Sequence, residues 1–330
     1  MPGTFNGTTL TISATPVDHA LIPDEGATNV AGIAIVGSDM YCVKTTGLKT
    51  TLLKTTDYMA TKATAVKKDL NWFALGLTKI GNYLYMLAED HKGYGGSTTI
   101  VKLDTKGNQL GTYSINEICP KGALGITAAD GTNIYTLMVY KSPKAASLYS
   151  EFANSKNLKE TKIMPETLTF SVVDWKAAKA ASTFTVTNSG FGYTTQLQDI
   201  YYHTSFGLFI LTNNTFSTLQ NRILVVDYHL TDDKGKKYTP CAVINVNKTG
   251  EYKQYNLESI CMKANHLVLA SNVITSDGTA EDKFSVLEGI TYSGKTYTFA
   301  CGFRAGARVP TKVDPNYETT NLGCVSFNGN

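Results

Sequence analysis

The feature that most constrains the fold of this chain is an internal repeat. Five segments place a glycine-like residue and then Ile or Leu ahead of a turn, and an aromatic or apolar residue follows nine or ten positions after the glycine-like residue. We call the glycine-like residues the anchors; they are Gly32, Gly76, Gly125, Asp199 and Ser259. A fixed repeat of this length indicates one supersecondary unit per copy, so the repeat predicts the architecture.

Turn chemistry separates the two halves of each unit. Gly37-Ser38, Gly81-Asn82 and Asp130-Gly131 contain residues that tolerate positive φ and let two strands fold back on each other. Each unit therefore opens with a β-hairpin. Further alternating runs, such as residues 99–103 and 223–226, bring the expected number to four strands per unit.

The repeat predicts an all-β fold, a β-propeller with five four-stranded blades that occupies residues 1–330 as a single domain. Radial blades leave only short edges, which avoids the edge-pairing hazard of a large open sheet. Strand-like runs at residues 9–13 and 324–327 belong to no unit, so we expect N- and C-terminal strands to pair and close the ring. A sixth blade and a β-sandwich stay open as alternatives.

Composition excludes several classes of protein. Apolar residues make up 42% of the 330 residues, which is typical of a globular protein, and the formal net charge is only +3. The basic residues form no block, so we expect no nucleic-acid partner, and no apolar run is long enough for a membrane helix, so no membrane insertion is expected. Secretion is the expected localisation, and a cytoplasmic location stays open.

The cysteines predict neither a zinc site nor an obvious redox motif. The six cysteines lie far apart and form no C-x-x-C pair. Those in apolar runs, such as Cys42 and Cys261, are expected to be buried free thiols, and a disulfide between Cys301 and Cys324 stays open. We predict no metal and no cofactor.

One segment matches a phosphate-binding loop by letters alone. Residues 289–296 read G-x-x-x-x-G-K-T, but a β-branched and aromatic run follows where the loop requires a helix. A hairpin turn is therefore the expected structure. The sequence also lacks the H-E-x-x-H, G-x-S-x-G and dinucleotide-binding signatures.

The departures from glycine in the repeat indicate a candidate site. Blades four and five carry Gln198-Asp199 and Glu258-Ser259 where the first three blades carry glycine anchors. Because innermost strands line the channel of a propeller, we expect Gln198, Asp199 and Glu258 at its mouth. Asp199 and Glu258 could act as base and acid in glycoside hydrolysis if their environments separate their pKa values, or serve only as polar caps.

Aromatic and basic residues supply further ligand-binding candidates. Trp72 precedes the second inner strand and Tyr201 follows the fourth anchor, and either ring could stack on a sugar or pack in the core. Arg304 and Arg308 form a small basic pair that could bind a carboxylate or phosphate, or pair with a surface acid.

Some segments resemble helveticin-type large bacteriocins, which are secreted by lactic-acid bacteria. The resemblance rests on residues 36–41 with 50–54, and on the layout of 206–210 and 257–260. It implies a secreted bacterial propeller without an obvious enzyme site.

Three functions follow as hypotheses. The first is a non-catalytic, lectin-like propeller that recognises a cell-surface glycan or a surface protein. The second is a glycoside hydrolase or lyase that uses Asp199 and Glu258. The third is a protein-interaction scaffold, because a fold does not determine a function.

Overall fold

The computed structural model describes most of the predicted repeat. The described residues are 4–5, 10–14, 17–22, 29–46, 48–56, 63–89, 98–119, 123–131, 133–138, 167–177, 179–187, 196–203, 207–213, 221–226, 237–238, 240, 242–246, 251–264, 266–287, 290–293, 296–299, 306–309, 319–320 and 325–328. All of the regular structure in these residues is β-strand.

Three short strands open the chain, and two four-stranded antiparallel blades follow. The opening strands are β1 (Thr4–Phe5), β2 (Leu10–Ala14) and β3 (Val17–Ile22). Blade 1 consists of β4 (Asn29–Val36), β5 (Asp39–Thr46), β6 (Lys49–Thr55) and β7 (Thr64–Leu70). Blade 2 consists of β8 (Phe73–Ile80), β9 (Tyr83–Glu89), β10 (Thr98–Leu103) and β11 (Gln109–Ser114).

The next two blades each acquire extra strands at their outer edges. Blade 3 consists of β12 (Ala123–Ala128), β13 (Asn133–Met138), β14 (Thr167–Asp174) and β15 (Lys179–Thr187). Blade 4 consists of β16 (Gln196–His203), β17 (Gly207–Asn213), β18 (Asn221–Val226) and β20 (Ala242–Val246), with β19 (Lys237–Tyr238) between the last two in the chain. Strand β19 pairs in parallel with β15, and β2 pairs in parallel with β20.

Blade 5 is completed by the N-terminal segment. Its first three strands are β21 (Tyr252–Lys263), β22 (His266–Thr275) and β23 (Ala280–Leu287), and β3 supplies the fourth. The innermost strands β4, β8, β12, β16 and β21 contact one another in this order, and β21 contacts β4. The ring therefore closes with five blades, as the repeat predicts.

The ring closes through an N-terminal strand, but not through the expected pair. Residues 9–13 were expected to pair with 324–327, whereas β2 lies on the edge of blade 4 and β3 pairs antiparallel with β23. The physical reason lies in the apolar cluster between blades 5 and 1, where Ile22 of β3 is buried. The specific pairing prediction is wrong, because β3 completes blade 5 and buries Ile22 in this cluster.

A separate five-stranded sheet follows blade 5. It contains β24 (Ile290–Ser293), β25 (Thr296–Phe299), β26 (Gly306–Val309), β27 (Thr319–Thr320) and β28 (Val325–Asn328). Strands β24 and β25 pair from Ser293↔Thr296 outwards, so the phosphate-loop look-alike spans a hairpin, as expected. The sixth sheet is not needed to close the ring, and the single-domain expectation stays a prediction.

The described core lies between blades. Apolar clusters join blades 1 and 2, 2 and 3, 3 and 4, and 5 and 1. Burial of each large aliphatic side chain contributes about 1.5–3 kcal/mol, so these faces hold the ring together. Cys42 and Cys261 are free and buried, as predicted, and Cys301 and Cys324 lie outside the described residues.

Candidate functional site

A one-residue β-bulge interrupts every inner strand at nearly the same position of the repeat. At this position in each blade, one residue of the inner strand has no partner in the second strand, so two consecutive residues of the second strand pair with inner-strand residues that are two apart. The skipped residues form what we call the bulge ring: Ala31, Leu75, Gly125, Gln198 and Glu258. Bulges redirect side chains and are common beside functional sites.

The anchors meet at the axis directly below the bulge ring, and we call this layer the hub. A Cβ atom added to Gly32 would lie 2.5 Å from the Leu77 nitrogen, and one added to Gly125 would lie 3.0 Å from the Asp199 Cα. Only glycine permits such close approach of neighbouring inner strands. In blade 3 the anchor Gly125 is itself the bulged residue and has φ +69°, so this copy of the repeat is shifted by one position.

The carboxylate of Asp199 occupies the centre of the hub. A Cβ atom added to Gly76 would lie 3.5 Å from Asp199 Oδ1, although Gly76 belongs to blade 2 and Asp199 to blade 4. Because this contact joins two blades that are not neighbours, the Asp199 side chain reaches across the axis. The glycines of the first blades leave the space that this side chain fills.

Asp199 accepts hydrogen bonds from three blades. Its Oδ1 accepts the Ile200 N–H at 2.9 Å, and its Oδ2 accepts the Ile260 N–H at 3.2 Å and the Ser259 hydroxyl. The Ile126 N–H of blade 3 also donates to this carboxylate.

Ser259 extends this network to blade 1. Its Oγ accepts the Ile33 N–H at 3.0 Å while its own hydroxyl donates to Asp199. Four of the five blades are thus connected through two side chains.

Burial dominates the electrostatics of Asp199. Loss of solvent raises the pKa of the carboxyl group to about 7, although the hydrogen bonds from Ser259 and the backbone favour the charged form. The side chain is only 2% exposed and bonded on both oxygens.

Asp199 was expected at the channel mouth, whereas its side chain is buried and both of its oxygens accept hydrogen bonds. The bulge exposes the residue before the anchor, and the anchor itself points into the hub. A ligand-binding role for Asp199 stays a prediction.

Gln198 and Glu258, which are expected at the channel mouth, are both bulged and partly exposed. Within the bulge ring, Ala31, Gln198 and Glu258 are partly exposed, whereas Leu75 is buried. The three exposed residues belong to blades 1, 4 and 5, which are consecutive around the closed ring. The accessible part of the ring therefore combines a carboxyl group, an amide and a small apolar residue.

The mouth lies at the end of the ring where the inner strands begin. At this end each inner strand carries its bulge, which in β4, β8, β12 and β16 is close to the first residues of the strand. Bulges are common beside functional sites, so this end is the candidate binding face.

The two aromatic candidates, Trp72 and Tyr201, make contacts with apolar clusters and with other strands. Trp72 Nε1 donates to Gln109 Oε1 at 3.0 Å, which ties the indole to the outermost strand of blade 2. Tyr201 lies two residues beyond Asp199 and packs against the apolar cluster of blades 5 and 1, where burial raises the pKa of its hydroxyl. Both rings pack against clusters between blades, and their ligand-binding role stays a prediction.

The arginine pair is not placed near the mouth by any described contact. Arg308 lies in β26 of the C-terminal sheet, with its backbone opposite Ser326, and Arg304 lies outside the described residues. Their ligand-binding role stays a prediction.

A buried ion pair at the closing seam was missed from the sequence. Lys44 Nζ lies 2.7 Å from Asp282 Oδ2, and both side chains have 0% exposure. Lys44 also donates to the Ile22 carbonyl at 3.4 Å, and Asn272 Nδ2 donates to Asp282 Oδ1 at 2.9 Å. The available signal was a lysine that continues an apolar strand, because lysine is rarely buried unless paired.

The described residues hold neither a cluster of metal-ligating side chains nor a membrane-spanning helix. No group of three or more His, Cys, Asp or Glu side chains lies close enough there to hold a metal ion. The described part of the chain also contains no helix of the length and hydropathy needed to cross a bilayer.

Comparisons with known proteins show the fold alone. No protein-family model and no curated protein matches this sequence, so the helveticin-type resemblance finds no support. Among solved structures, the RS223 β-xylosidase is similar with a TM-score of 0.51 and 10% identity over 84% of this chain and 96% of that one. A GH43_1 enzyme from Xanthomonas citri has a TM-score of 0.51 and 10% identity over 85% of this chain and 92% of that one.

A third solved structure gives the same result. The GH43B protein of a Bacteroides ovatus xyloglucan locus has a TM-score of 0.51 and 12% identity over 83% of this chain, which spans 54% of that protein. At these identities the likeness shows a similar fold and does not assign an activity.

Proposed function

We propose that this protein is a carbohydrate-active propeller that hydrolyses a glycosidic bond at the channel mouth, with Glu258 as the carboxyl group that contacts the substrate. The observation that carries this proposal is the asymmetry of the bulge ring. Glu258 and Gln198 are partly exposed on neighbouring inner strands, directly above the sealed hub. The similar solved propellers, one a β-xylosidase and two designated GH43, favour a glycan over other substrates.

The mouth has the polarity that a sugar requires. A carboxylate and an amide offer hydrogen-bond partners for hydroxyl groups, and Ala31 beside them adds a small apolar contact. A glutamic acid can protonate the leaving oxygen of a glycosidic bond. Such hydrolysis usually needs a second carboxyl group, and Asp199 is too buried to supply one by direct contact.

The composition of the bulge ring favours a second candidate function, a non-catalytic glycan-binding propeller. Of the five bulged residues, Glu258 is the one that carries a carboxyl group. A ring of one carboxyl group, one amide and small or apolar residues can bind a sugar without cleaving it. Secretion and recognition of a cell-surface glycan belong to this same proposal, and a scaffold role stays a prediction.

Turnover of a panel of aryl glycosides and plant and bacterial polysaccharides tests the proposal. We expect the wild type to cleave at least one member and Glu258→Gln to lose about a hundredfold or more in kcat. Glu251→Gln is the matched control, because Glu251 is exposed just before the same strand and should leave kcat unchanged.

Each outcome separates the candidates. Binding to a glycan array without turnover, reduced by Glu258→Ala, would replace hydrolysis with binding. Turnover that Glu258→Gln leaves intact would remove Glu258 from the mechanism. Absence of both turnover and binding would overturn both candidates.

A further inference from the structure

The Glu258 bulge is bonded to blade 4 on both of its sides. On the side that follows it, the Ser259 hydroxyl and the Ile260 N–H both donate to Asp199 Oδ2. On the side that precedes it, Leu257 N–H donates to Asn221 Oδ1 at 3.5 Å.

Asn221 makes a second bond to the same segment. Its Nδ2 donates to the Tyr255 carbonyl at 2.8 Å, so one amide side chain holds two backbone groups ahead of Glu258. Asn221 and Asp199 are both buried and both belong to blade 4.

From this geometry we infer that Asp199 and Asn221 form a clamp of positioning residues that fixes Glu258 at the mouth. This inference rests on the proposed function for its catalytic meaning. Neither side chain touches the substrate; each acts through the backbone of β21. Fixed placement matters because small displacements of a reacting group cause large losses in rate.

A comparable pair of hydrogen bonds lies ahead of another bulge, and the comparison shows what is specific to Glu258. In blade 2, Thr50 Oγ1 donates to the Trp72 carbonyl at 2.7 Å and accepts the Ala74 N–H at 3.2 Å. Trp72 and Ala74 lie three residues and one residue before the bulged Leu75. Tyr255 and Leu257 have the same positions relative to Glu258.

A side chain that bonds the two backbone groups ahead of the bulge is thus a feature of both blades. The hydrogen bonds from Ser259 and Ile260 to Asp199, just after the bulge, are what distinguishes Glu258 from Leu75. Thr50 supplies a natural control, because it holds an apolar bulge by the same kind of bond.

Single substitutions separate the clamp from general stabilisation. Ser259→Ala and Asn221→Ala remove bonds beside Glu258, Thr50→Val removes the comparable bond beside Leu75, and Ser285→Ala removes a buried hydroxyl of blade 5 that has no partner among the described atoms. We expect Ser259→Ala and Asn221→Ala each to lower kcat about tenfold with KM within about twofold, as loss of one or two positioning bonds implies. Thr50→Val should lower the melting temperature about as much as Asn221→Ala does, and it should leave kcat unchanged.

Amide hydrogen exchange gives a readout that does not depend on activity. In Ser259→Ala and Asn221→Ala, the peptide that covers residues 252–263 should exchange about tenfold faster than in the wild type, and Ser285→Ala should not change it.

Equal effects of Ser259→Ala, Asn221→Ala and Thr50→Val on kcat, or unchanged exchange in the 252–263 peptide, would overturn the clamp. If the wild type cleaves no glycan, the proposed hydrolysis fails. The exchange comparison then still decides whether blade 4 holds the Glu258 bulge.

Discussion

Two regions of the hub solve the same packing problem in opposite ways. Blades 1 to 3 place Gly32, Gly76 and Gly125 at the axis, whereas blades 4 and 5 place Asp199 and Ser259 there. The glycines let inner strands approach until backbone atoms touch, and the polar pair fills the remaining space and accepts hydrogen bonds from buried N–H groups of the inner strands. A closed hub thus needs both kinds of residue, and the polar half also holds the candidate site.

The seam between blades 5 and 1 is one place where the two regions meet. Breaking the Lys44–Asp282 ion pair at this seam should cause the largest loss of stability. Lys44→Met leaves Asp282 as an uncompensated buried charge, so we expect a loss of about 4 kcal/mol in the free energy of unfolding by urea. The double variant Lys44→Met with Asp282→Leu should recover most of this loss, because no buried charge is left.

A surface pair provides the control for this seam. Lys49 Nζ lies 3.2 Å from Asp69 Oδ1, but the two side chains are 59% and 71% exposed. Lys49→Met should therefore change stability by less than about 0.5 kcal/mol. Equal losses in Lys44→Met and Lys49→Met would show that the seam charge pair is not buried.

The glycine half of the hub is tested by adding a methyl group. In Gly32→Ala the new Cβ would lie 2.5 Å from the Leu77 nitrogen, and relief requires the inner strands to separate. We expect a loss of about 3 kcal/mol in thermal or urea unfolding. Gly131→Ala is the control, because a Cβ there meets nothing within 4 Å. A stable Gly32→Ala variant would contradict the close approach of blades 1 and 2.

The polar half is tested by Asp199→Asn across pH. The amide would set an N–H group against the Ile260 or Ile200 N–H, so we expect a loss of about 2 kcal/mol at pH 5. The pKa of Asp199, about 7 in the folded protein, lies above the ordinary value of 3.8. The folded state therefore holds the Asp199 proton more tightly than the unfolded state does. The stability that this proton adds is complete below the ordinary pKa of 3.8 and is lost as pH rises through 7.

The difference in unfolding free energy between wild type and Asp199→Asn should consequently narrow from pH 5 to pH 8. Urea titrations at several pH values measure it. A difference that widens with pH would mean that the hub stabilises the charged carboxylate over the neutral acid.

The smallest expected effect distinguishes packing from ligand binding at Trp72. Trp72→Phe keeps an aromatic ring and removes the bond to Gln109, so we expect a loss of about 1 kcal/mol in stability. Glycan turnover and binding should not change, because the indole is tied to the outer strand of blade 2. A selective loss of glycan affinity would restore Trp72 to the site.

The sequence predicts those features that are repeated. The spacing of the anchors indicates the blades, and the structure shows inner strands in close approach at two of these anchors, Gly32 and Gly76. Gly37 and Gly81 adopt the positive φ that the predicted hairpin turns require.

Other features depend on contacts between distant segments. The direction of Asp199 follows from a one-residue bulge, and such a shift exchanges which of two adjacent side chains faces solvent. The choice of β3 as the closing strand depends on burial of Ile22, and the burial of Lys44 depends on Asp282 far away in the chain. No local pattern contains this information.

A carbon-13 NMR titration of the Asp199 carboxyl group, assigned by its loss in Asp199→Asn, tests the hub most directly. A carboxyl group sealed at the axis beneath Glu258 should titrate with a midpoint of about 7. A midpoint near 4, typical of a solvated aspartate, would contradict a hub in which loss of solvent dominates the electrostatics of this carboxyl group.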